Sequence, residues 1–444
     1  MIENPDILLK YFKACGNNIT TDSRSVSRYI EEGKKVMFLA LKGDKFDGND
    51  FAAQALKEGA SFVVVDNPWM AESGDPRILV VKDCLKALQD MARAYRRNLP
   101  VKILAITGSN GKTTTKELIN RVLSKKYKVS ATCGNLNNHI GVPLTLLNMP
   151  SDTEIGIIEM GANHRGEIKQ LCAIAEPNYG IITNIGRAHL EGFGGTDGVK
   201  KGKGELFDYL RNVRGTAFFL EEDKTLKEMI AEREGVRKSG YSLSGTTATL
   251  SENGTVALKY REAQKPIQSN LVGEYNKYNI AAAVAIGKFF GIDFRQAAEA
   301  IKNYIPDNNR SQFVSIGSNK IITDAYNANP SSMENALLNF AEMQDENKLV
   351  ILGDMKELGK YSAEEHDKVL FAVKKYGFRK AWFVGDEFIK AGHRIAEKDM
   401  LFFPSVKELE KHIEKTPLHN YTILIKGSHS TRLEEVVPFL DANL

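Results

Sequence analysis

Residues 101–123 read Val101-Lys102-Ile103-Leu104-Ala105-Ile106-Thr107, then Gly108-Ser109-Asn110-Gly111-Lys112-Thr113-Thr114-Thr115, then Lys116-Glu117-Leu118-Ile119-Asn120-Arg121-Val122-Leu123. The apolar run is a buried strand. The glycine-bounded middle is a tight turn. Leu118, Ile119, Val122 and Leu123 fall on one face of a helix. Strand, glycine turn and helix in that order are the context of a phosphate loop. Glycines let successive N–H groups point inward, and the helix start adds its free N–H groups and positive dipole end. Lys112 would reach the β- and γ-phosphates, and the Thr113 hydroxyl would hold Mg²⁺. The usual G-x-x-x-x-G-K-[ST] spacing is shortened to G-x-x-G-K-T, because Ile106 occupies the first glycine position.

Around this stretch the chain divides. At 444 residues it exceeds what one core supports. Hydrophobic content of 42% and charged content of 26% are those of a globular protein. The net charge of +4 is spread over mixed signs, with no basic tract to imply nucleic acid. Cys15, Cys84, Cys133 and Cys172 are widely separated, as free buried thiols in a reducing compartment would be. No leader pattern opens the chain and no apolar run reaches membrane-spanning length, so the expectation is a cytoplasmic protein without a membrane span.

The expected fold class is α/β in three domains. Residues 1–99 read as a small α/β domain with strands at 36–41 and 61–65 and a helix at 51–58. Asp83 can cap a helix striped by Leu85, Leu88, Met91, Ala92 and Tyr95, whose negative end would suit Arg93, Arg96 and Arg97. Residues 100–307 continue from the phosphate loop with strands at 129–132, Ile155–Glu159, 180–185 and Thr216–Leu220, a mostly parallel sheet. A hairpin follows around Asn253-Gly254, with strands at 248–250 and 256–260, and then an alanine-rich helix at 279–290. Residues 308–444 alternate again in a Rossmann-like pattern, with strands at 320–323, 349–352, 381–384 and 422–425. Capping-box patterns stand at Ser331-x-x-Glu334, Ser362-x-x-Glu365 and Ser405-x-x-Glu408. Several strands end in Gly or a charge, where open α/β sheets bind ligands.

Polar groups at those ends carry the chemistry. Glu159 closes an apolar strand and could coordinate Mg²⁺, or could be an exposed strand-end acid. His189 follows the next strand as either a structural residue or a ligand. Lys203 lies among Lys200 and Lys201, and composition does not separate it from a solvated lysine face. Asn276 and Asn279 carry amides able to read adenine edges, or to cap a helix. Asp324-Ala325-Tyr326-Asn327-Ala328-Asn329-Pro330 crowds an acid, a phenol and two amides into one loop, more than a turn needs. Lys426 could bring an ammonium to an anion. Thr21-Asp22-Ser23-Arg24 reads as a turn.

Taken together, Gly108-x-x-Gly111-Lys112-Thr113, Glu159, His189 within Asn184-Ile185-Gly186-Arg187-Ala188-His189, Lys203-Gly204-Glu205 and Asn276 resemble the Mur ligases, ATP-dependent enzymes of peptidoglycan precursor synthesis related to folylpolyglutamate synthetase. The resemblance spans nearly the whole chain. Gly134-Asn135-Leu136-Asn137-Asn138-His139, the 323–330 segment, Leu352-Gly353-Asp354-Met355-x-Glu357-Leu358-Gly359 and Lys426-Gly427-Ser428 look like the branch that adds D-alanyl-D-alanine. Gly273-Glu274-Tyr275-Asn276 stands where the family more usually has Gly-Arg-His-Asn, and Asn308-Asn309-Arg310 where a glycine more often precedes the arginine.

The resemblance implies a carboxylate–amine ligase acting on UDP-N-acetylmuramoyl-tripeptide and D-alanyl-D-alanine, as a monomer. Gly108, Ser109, Asn110, Gly111, Lys112, Thr113 and Thr114 would wrap the ATP phosphates, with Asn276, Arg310 and Asp324 also on the nucleotide. Thr113 and Glu159 would hold one Mg²⁺. Lys203, carbamylated by CO₂, would hold a second beside His189. Lys112, Glu159, His189 and Lys203 form the implied catalytic set. Ser23 and Arg24 would lie near the uridine end, Asn137, Asn138 and His139 along the peptide, and Tyr326, Asn327, Asn329 and Lys426 around the incoming dipeptide. Another amide ligase of this fold, or a nucleotide-binding regulatory module, remains the alternative.

Overall fold

The structure, a computed structural model, describes residues 1–252, 254–306, 312–345, 347–395 and 397–441. Asn253, Asn308, Asn309 and Arg310 lie outside the described residues.

The central sheet forms because its inner strands are apolar on both faces. Among the described residues it has six strands, all parallel, ordered Arg237–Tyr241, Thr216–Leu220, Tyr179–Ile182, Lys102–Thr107, Ile155–Glu159, Val129–Ala131. Alternation along Lys102–Thr107 sorts the two cores. Leu104 and Ile106 join Leu118, Ile119 and Val122 of helix Lys112–Leu123 and Ile280 and Ala283 of helix Asn276–Phe289. Ile103 and Ala105 face the opposite core, with Ile168 and Leu171 of helix Glu167–Ala175 and Leu206 and Leu210 of helix Thr196–Asn212. Helices therefore cover both faces, as a parallel sheet requires.

On the N-terminal side, Ile19–Thr20, Met37–Leu39, Phe62–Val65 and Ile78–Val80 make a four-stranded parallel sheet. Its helix Cys84–Arg97 is capped by Asp83 as expected, the carboxylate accepting from Lys86 N–H. Arg96 and Arg97 serve a different helix end from the one their position suggests. Arg96 donates to Ala175 O and Glu176 O, both at 3.1 Å, at the C-terminus of helix Glu167–Ala175, and Arg97 pairs with Glu176. Together with Tyr95 Oη donating to Met149 O at 2.9 Å, they fasten the N-terminal domain to the central one.

A three-stranded antiparallel sheet, Thr246–Leu250, Thr255–Tyr260 and Ile267–Val272, follows the central strands. In the C-terminal domain the order is Gln312–Ile316, Asn319–Asp324, Thr422–Lys426, Lys348–Gly353, Lys380–Val384, Met400–Phe403, parallel except for the first pair. Two expected helix starts are corrected. The helix Pro330–Glu342 is capped by Asn329 with Ser332 rather than by Ser331 with Glu334, because Pro330 already takes the first helical position. Ser362 opens its helix without a capping bond and spends its hydroxyl on Glu387. Ser405 accepts from Glu408 N–H, one half of a capping box. Of the cysteines, Cys15, Cys84 and Cys172 are buried and Cys133 is exposed. Among the described residues no helix is long and apolar enough to cross a membrane.

Candidate active site

The carboxyl ends of the central and C-terminal sheets face each other across a cavity of about 670 Å³. Its central-domain wall includes Ser109 to Lys112, Thr114, Asn137, Glu159, Asn163 and His189; its C-terminal wall includes Asp324, Tyr326, Asn327, Asn329, Asn335 and Lys426.

The glycine turn is conformationally fixed. Gly108 has φ 141° and a Cβ there would sit 2.0 Å from Thr183 Oγ1, while Gly111, φ 76°, would meet Asn279 Oδ1 at 2.6 Å. Asn184 Oδ1 accepts Asn110 N–H at 3.1 Å, and Thr183 Oγ1 donates to Asn110 O at 2.6 Å, so the neighbouring strand end braces the loop. Lys112 curls over the turn, its Nζ donating to Gly108 O at 2.8 Å and Ser109 O at 3.3 Å.

Glu159 is buried at 1% exposure, which sets aside the reading of an exposed strand-end acid. Thr113 Oγ1 donates to its Oε2 and Asn137 Nδ2 to its Oε1, both at 2.9 Å. The donor chemistry fits a hard divalent ion: a buried carboxylate beside a threonine hydroxyl matches the few oxygen ligands Mg²⁺ takes from protein. Among the described residues no three His, Cys, Asp or Glu side chains gather into a metal cage of their own.

Lys203 is buried at 1% exposure, its Nζ 3.0 Å from Ala162 O and lying over the Phe193 ring. Burial, and then the charge of Lys112, hold its pKa well below the usual lysine range, with Glu167 and Glu205 pulling the other way. Lys200 and Lys201 lack this burial. A sequence signal existed: Lys203 stands four residues after Val199 and four before Phe207, on the helix's buried stripe. His189, φ 52°, is joined at Nδ1 by Glu357 of the C-terminal domain. That contact lowers the Glu357 pKa. Burial raises the Glu167 pKa, but hydrogen bonds from Asn163 and His164 outweigh it, leaving it lowered. Glu167 was not singled out in the sequence, and Glu357 was quoted within the 352–359 segment but not as a site residue, since only tertiary packing brings them here.

Asn276 lies behind the wall rather than on it. Its Nδ2 donates to Val272 O at 2.8 Å and its Oδ1 accepts from Asn279, whose own Oδ1 accepts from Thr115 at 3.0 Å. Asn279, Tyr275 and Tyr278 face the cavity instead. Across it, buried Lys426 pairs with Asp324 at 2.6 Å and donates to Asn327 O at 3.1 Å. Asn329 Nδ2 donates to Asn110 Oδ1 at 2.7 Å, a direct bond from the C-terminal loop to the phosphate loop. Asn138 and His139 are exposed along the cavity rim, Asn138 Oδ1 accepting from Gly141 N–H at 2.8 Å. Ser23 and Arg24 do not line this cavity; Arg24 folds back onto Asp22 at 2.8 Å in a short 3₁₀ turn.

Comparison with known proteins matches three family descriptions along the chain: Mur ligase family, catalytic domain, over residues 17–101; Mur ligase middle domain over 106–287; and Mur ligase, glutamate ligase domain, over 309–429. The UDP-N-acetylmuramoyl-tripeptide--D-alanyl-D-alanine ligase of Bacillus subtilis (strain 168) is 32% identical, covering 96% of this chain and 94% of its own length. The Escherichia coli (strain K12) protein of that name is 33% identical with the same shares, 96% and 94%. Among solved structures, MurF from Acinetobacter baumannii superposes with a TM-score of 0.83 at 30% identity, covering 95% of this chain and 93% of that one.

The Gly108 geometry makes a prediction. Gly108→Ala should weaken ADP binding at least about tenfold by calorimetry, since the added methyl cannot fit without moving the cradle. Gly33→Ala, equally left-handed at φ 70° but in open space, should leave ADP affinity unchanged.

Proposed function

The chain belongs to the Mur ligase family, and from that premise we propose that it joins D-alanyl-D-alanine to UDP-N-acetylmuramoyl-tripeptide at the expense of ATP, giving the pentapeptide precursor of peptidoglycan. One observation carries the reading: a phosphate cradle and an amide-rich loop from another domain meet in a single cavity, joined by the Asn329–Asn110 bond. The names of the relatives supply the substrates.

A carboxylate resists attack by an amine because oxide would have to leave. In the first step the tripeptide's terminal carboxylate attacks the γ-phosphorus of ATP. A carboxyl O–P bond forms, the bond to the β-phosphate oxygen breaks, and ADP leaves. The dipeptide's neutral amine then attacks the acyl carbon through a tetrahedral intermediate. The C–N bond forms, phosphate leaves and the nitrogen sheds a proton.

The first step brings two anions together, so cationic and N–H groups must offset their repulsion. Gly108 to Thr114 would wrap the phosphates, and Lys112 would exchange its own loop carbonyls for the β- and γ-oxygens. Thr113 and Glu159 would hold one Mg²⁺, and His189 with carbamylated Lys203 a second. When bound, these ions neutralise phosphate charge and polarise the transferring group. Lys203 suits carbamylation because burial lowers its pKa and so favours the free amine, which is what adds to CO₂. The N–C bond forms, one proton leaves, and the product is an oxygen ligand.

Asn276 would act on the nucleotide through Asn279, and Asp324 and Arg310 from the C-terminal side. Tyr326, Asn327, Asn329 and Lys426 would receive the dipeptide, and Asn137, Asn138 and His139 the tripeptide. Ser23 and Arg24 would serve the uridine end. The work divides as residues 1–99 on the sugar nucleotide, 100–307 on ATP, and 308–444 on ATP and dipeptide. The enzyme we propose is a monomer, and its use of ATP supports the cytoplasm.

ADP release measured with UDP-muramoyl tripeptide should require D-alanyl-D-alanine, and Lys112→Ala should lower it by about three orders of magnitude or more. Release that ignores the acceptor would contradict the reading. For the carbamate, ¹³C-labelled bicarbonate should give a carbamate carbon resonance in the wild type that Lys203→Met removes; a spectrum unchanged by that substitution would contradict the assignment.

A further inference from the structure

Lys116 has no part in the chemistry above, yet it is among the most deeply buried side chains in the protein. Its side chain is 1% exposed on helix Lys112–Leu123. Lysines are almost never fully buried unless paired, and an apolar residue in such a place is often as good for stability or better. Its Nζ donates to Thr132 O at 2.5 Å and pairs with Glu117 at 2.9 Å.

Thr132 is where the edge strand Val129–Ala131 gives way to the asparagine loop. Its hydroxyl accepts Glu159 N–H at 3.0 Å and donates to Ile157 O at 3.4 Å. The far side of the loop is fixed to the same neighbouring strand. Asn137 Nδ2 holds Glu159 Oε1 at 2.9 Å, and Asn137 O accepts Gly161 N–H at 2.8 Å. Gly161 permits this approach, since a Cβ there would lie 2.9 Å from Asn137 Oδ1. The loop is thus tied to Glu159 at its tip and to the phosphate-loop helix at its root. Lys116 follows Lys112 by one helical turn, so the two ammonium groups leave the same helix on adjacent rungs.

We propose that Lys116 is a positioning residue that holds the root of loop 133–139 against the phosphate-loop helix, so that Asn137, Asn138 and His139 keep the register in which they take the peptidyl substrate. The assignment of that loop to the peptide rests on the function proposed above; the mechanical tie does not.

The full-length chain tests this with Lys116→Met and Lys116→Arg. In Lys116→Met, amide hydrogen exchange should accelerate about tenfold across 133–139 while that of 112–123 stays unchanged, and the KM for UDP-muramoyl tripeptide should rise about tenfold, as loss of a charge-assisted bond implies. The KM for ATP and kcat should stay within about threefold of wild type. Lys116→Arg should recover most of the tripeptide KM. Unchanged loop exchange, an ATP KM rising in step with the tripeptide KM, or an arginine variant no better than methionine would each overturn the proposal. Lys116→Gln, too short to reach Thr132 O, gives the same readouts should the methionine variant not fold. If the wild type shows no acceptor-dependent turnover, the functional reading fails and the exchange measurement alone decides the tie.

Discussion

A carboxylate buried between two neutral donors governs the arrangement. Glu159 sits at 1% exposure at the end of a wholly apolar strand, held by a threonine hydroxyl and an asparagine amide. Taking a charge out of water costs several kcal/mol unless something opposes it. Neutral hydrogen bonds recover part of that cost. A divalent cation would recover more, and would bring along the phosphates that need it. The same two donors fix the surrounding parts: Thr113 belongs to the first turn of the cradle helix, and Asn137 to the loop that rims the cavity. Placing this one acid therefore places the cradle, the edge of the sheet and the asparagine loop together.

The second half of the site comes from the C-terminal domain, whose strands also point their carboxyl ends at the cavity. Polar contacts help to carry it there. Ser331 Oγ accepts Arg187 N–H at 2.8 Å, the Arg187 guanidinium pairs with Glu334 at 2.7 Å and Glu365 at 3.3 Å, and Glu357 reaches His189. All four of these lie on the 186–189 segment that also carries the proposed metal-site histidine. Such hydrogen bonds and ion pairs are of the kind that domain interfaces can break and remake.

Much of this was legible in the sequence, and the reasons are specific. The strands Ile155–Glu159 and Thr216–Leu220 fall where expected because both are apolar but for one terminal residue, the pattern of a strand covered on both faces. The strand expected at 180–185 stops at Ile182, since Thr183 and Asn184 turn their side chains to the phosphate loop. The helix expected from residue 279 begins at Asn276, because polar asparagines there face buried partners rather than marking a turn. Lys203 and Lys116 were hard to see because composition treats every lysine as solvated. Their phase on the helix was the available clue: Lys116 shares a stripe with Ile119 and Leu123 just as Lys203 does with Val199 and Phe207. Glu357 stands in the quoted 352–359 segment, but nothing local signals its contact with His189, which only the docking of two domains creates.

The role of Glu159 is tested most directly by titrating ADP into the wild type and into Glu159→Gln, with and without Mg²⁺, in a calorimeter. Mg²⁺ should tighten ADP binding to the wild type by about tenfold or more, and this gain should largely vanish in Glu159→Gln while metal-free affinity changes little. An equal Mg²⁺ gain in both proteins would show that the buried acid does not hold the ion, and the account of the site would fail.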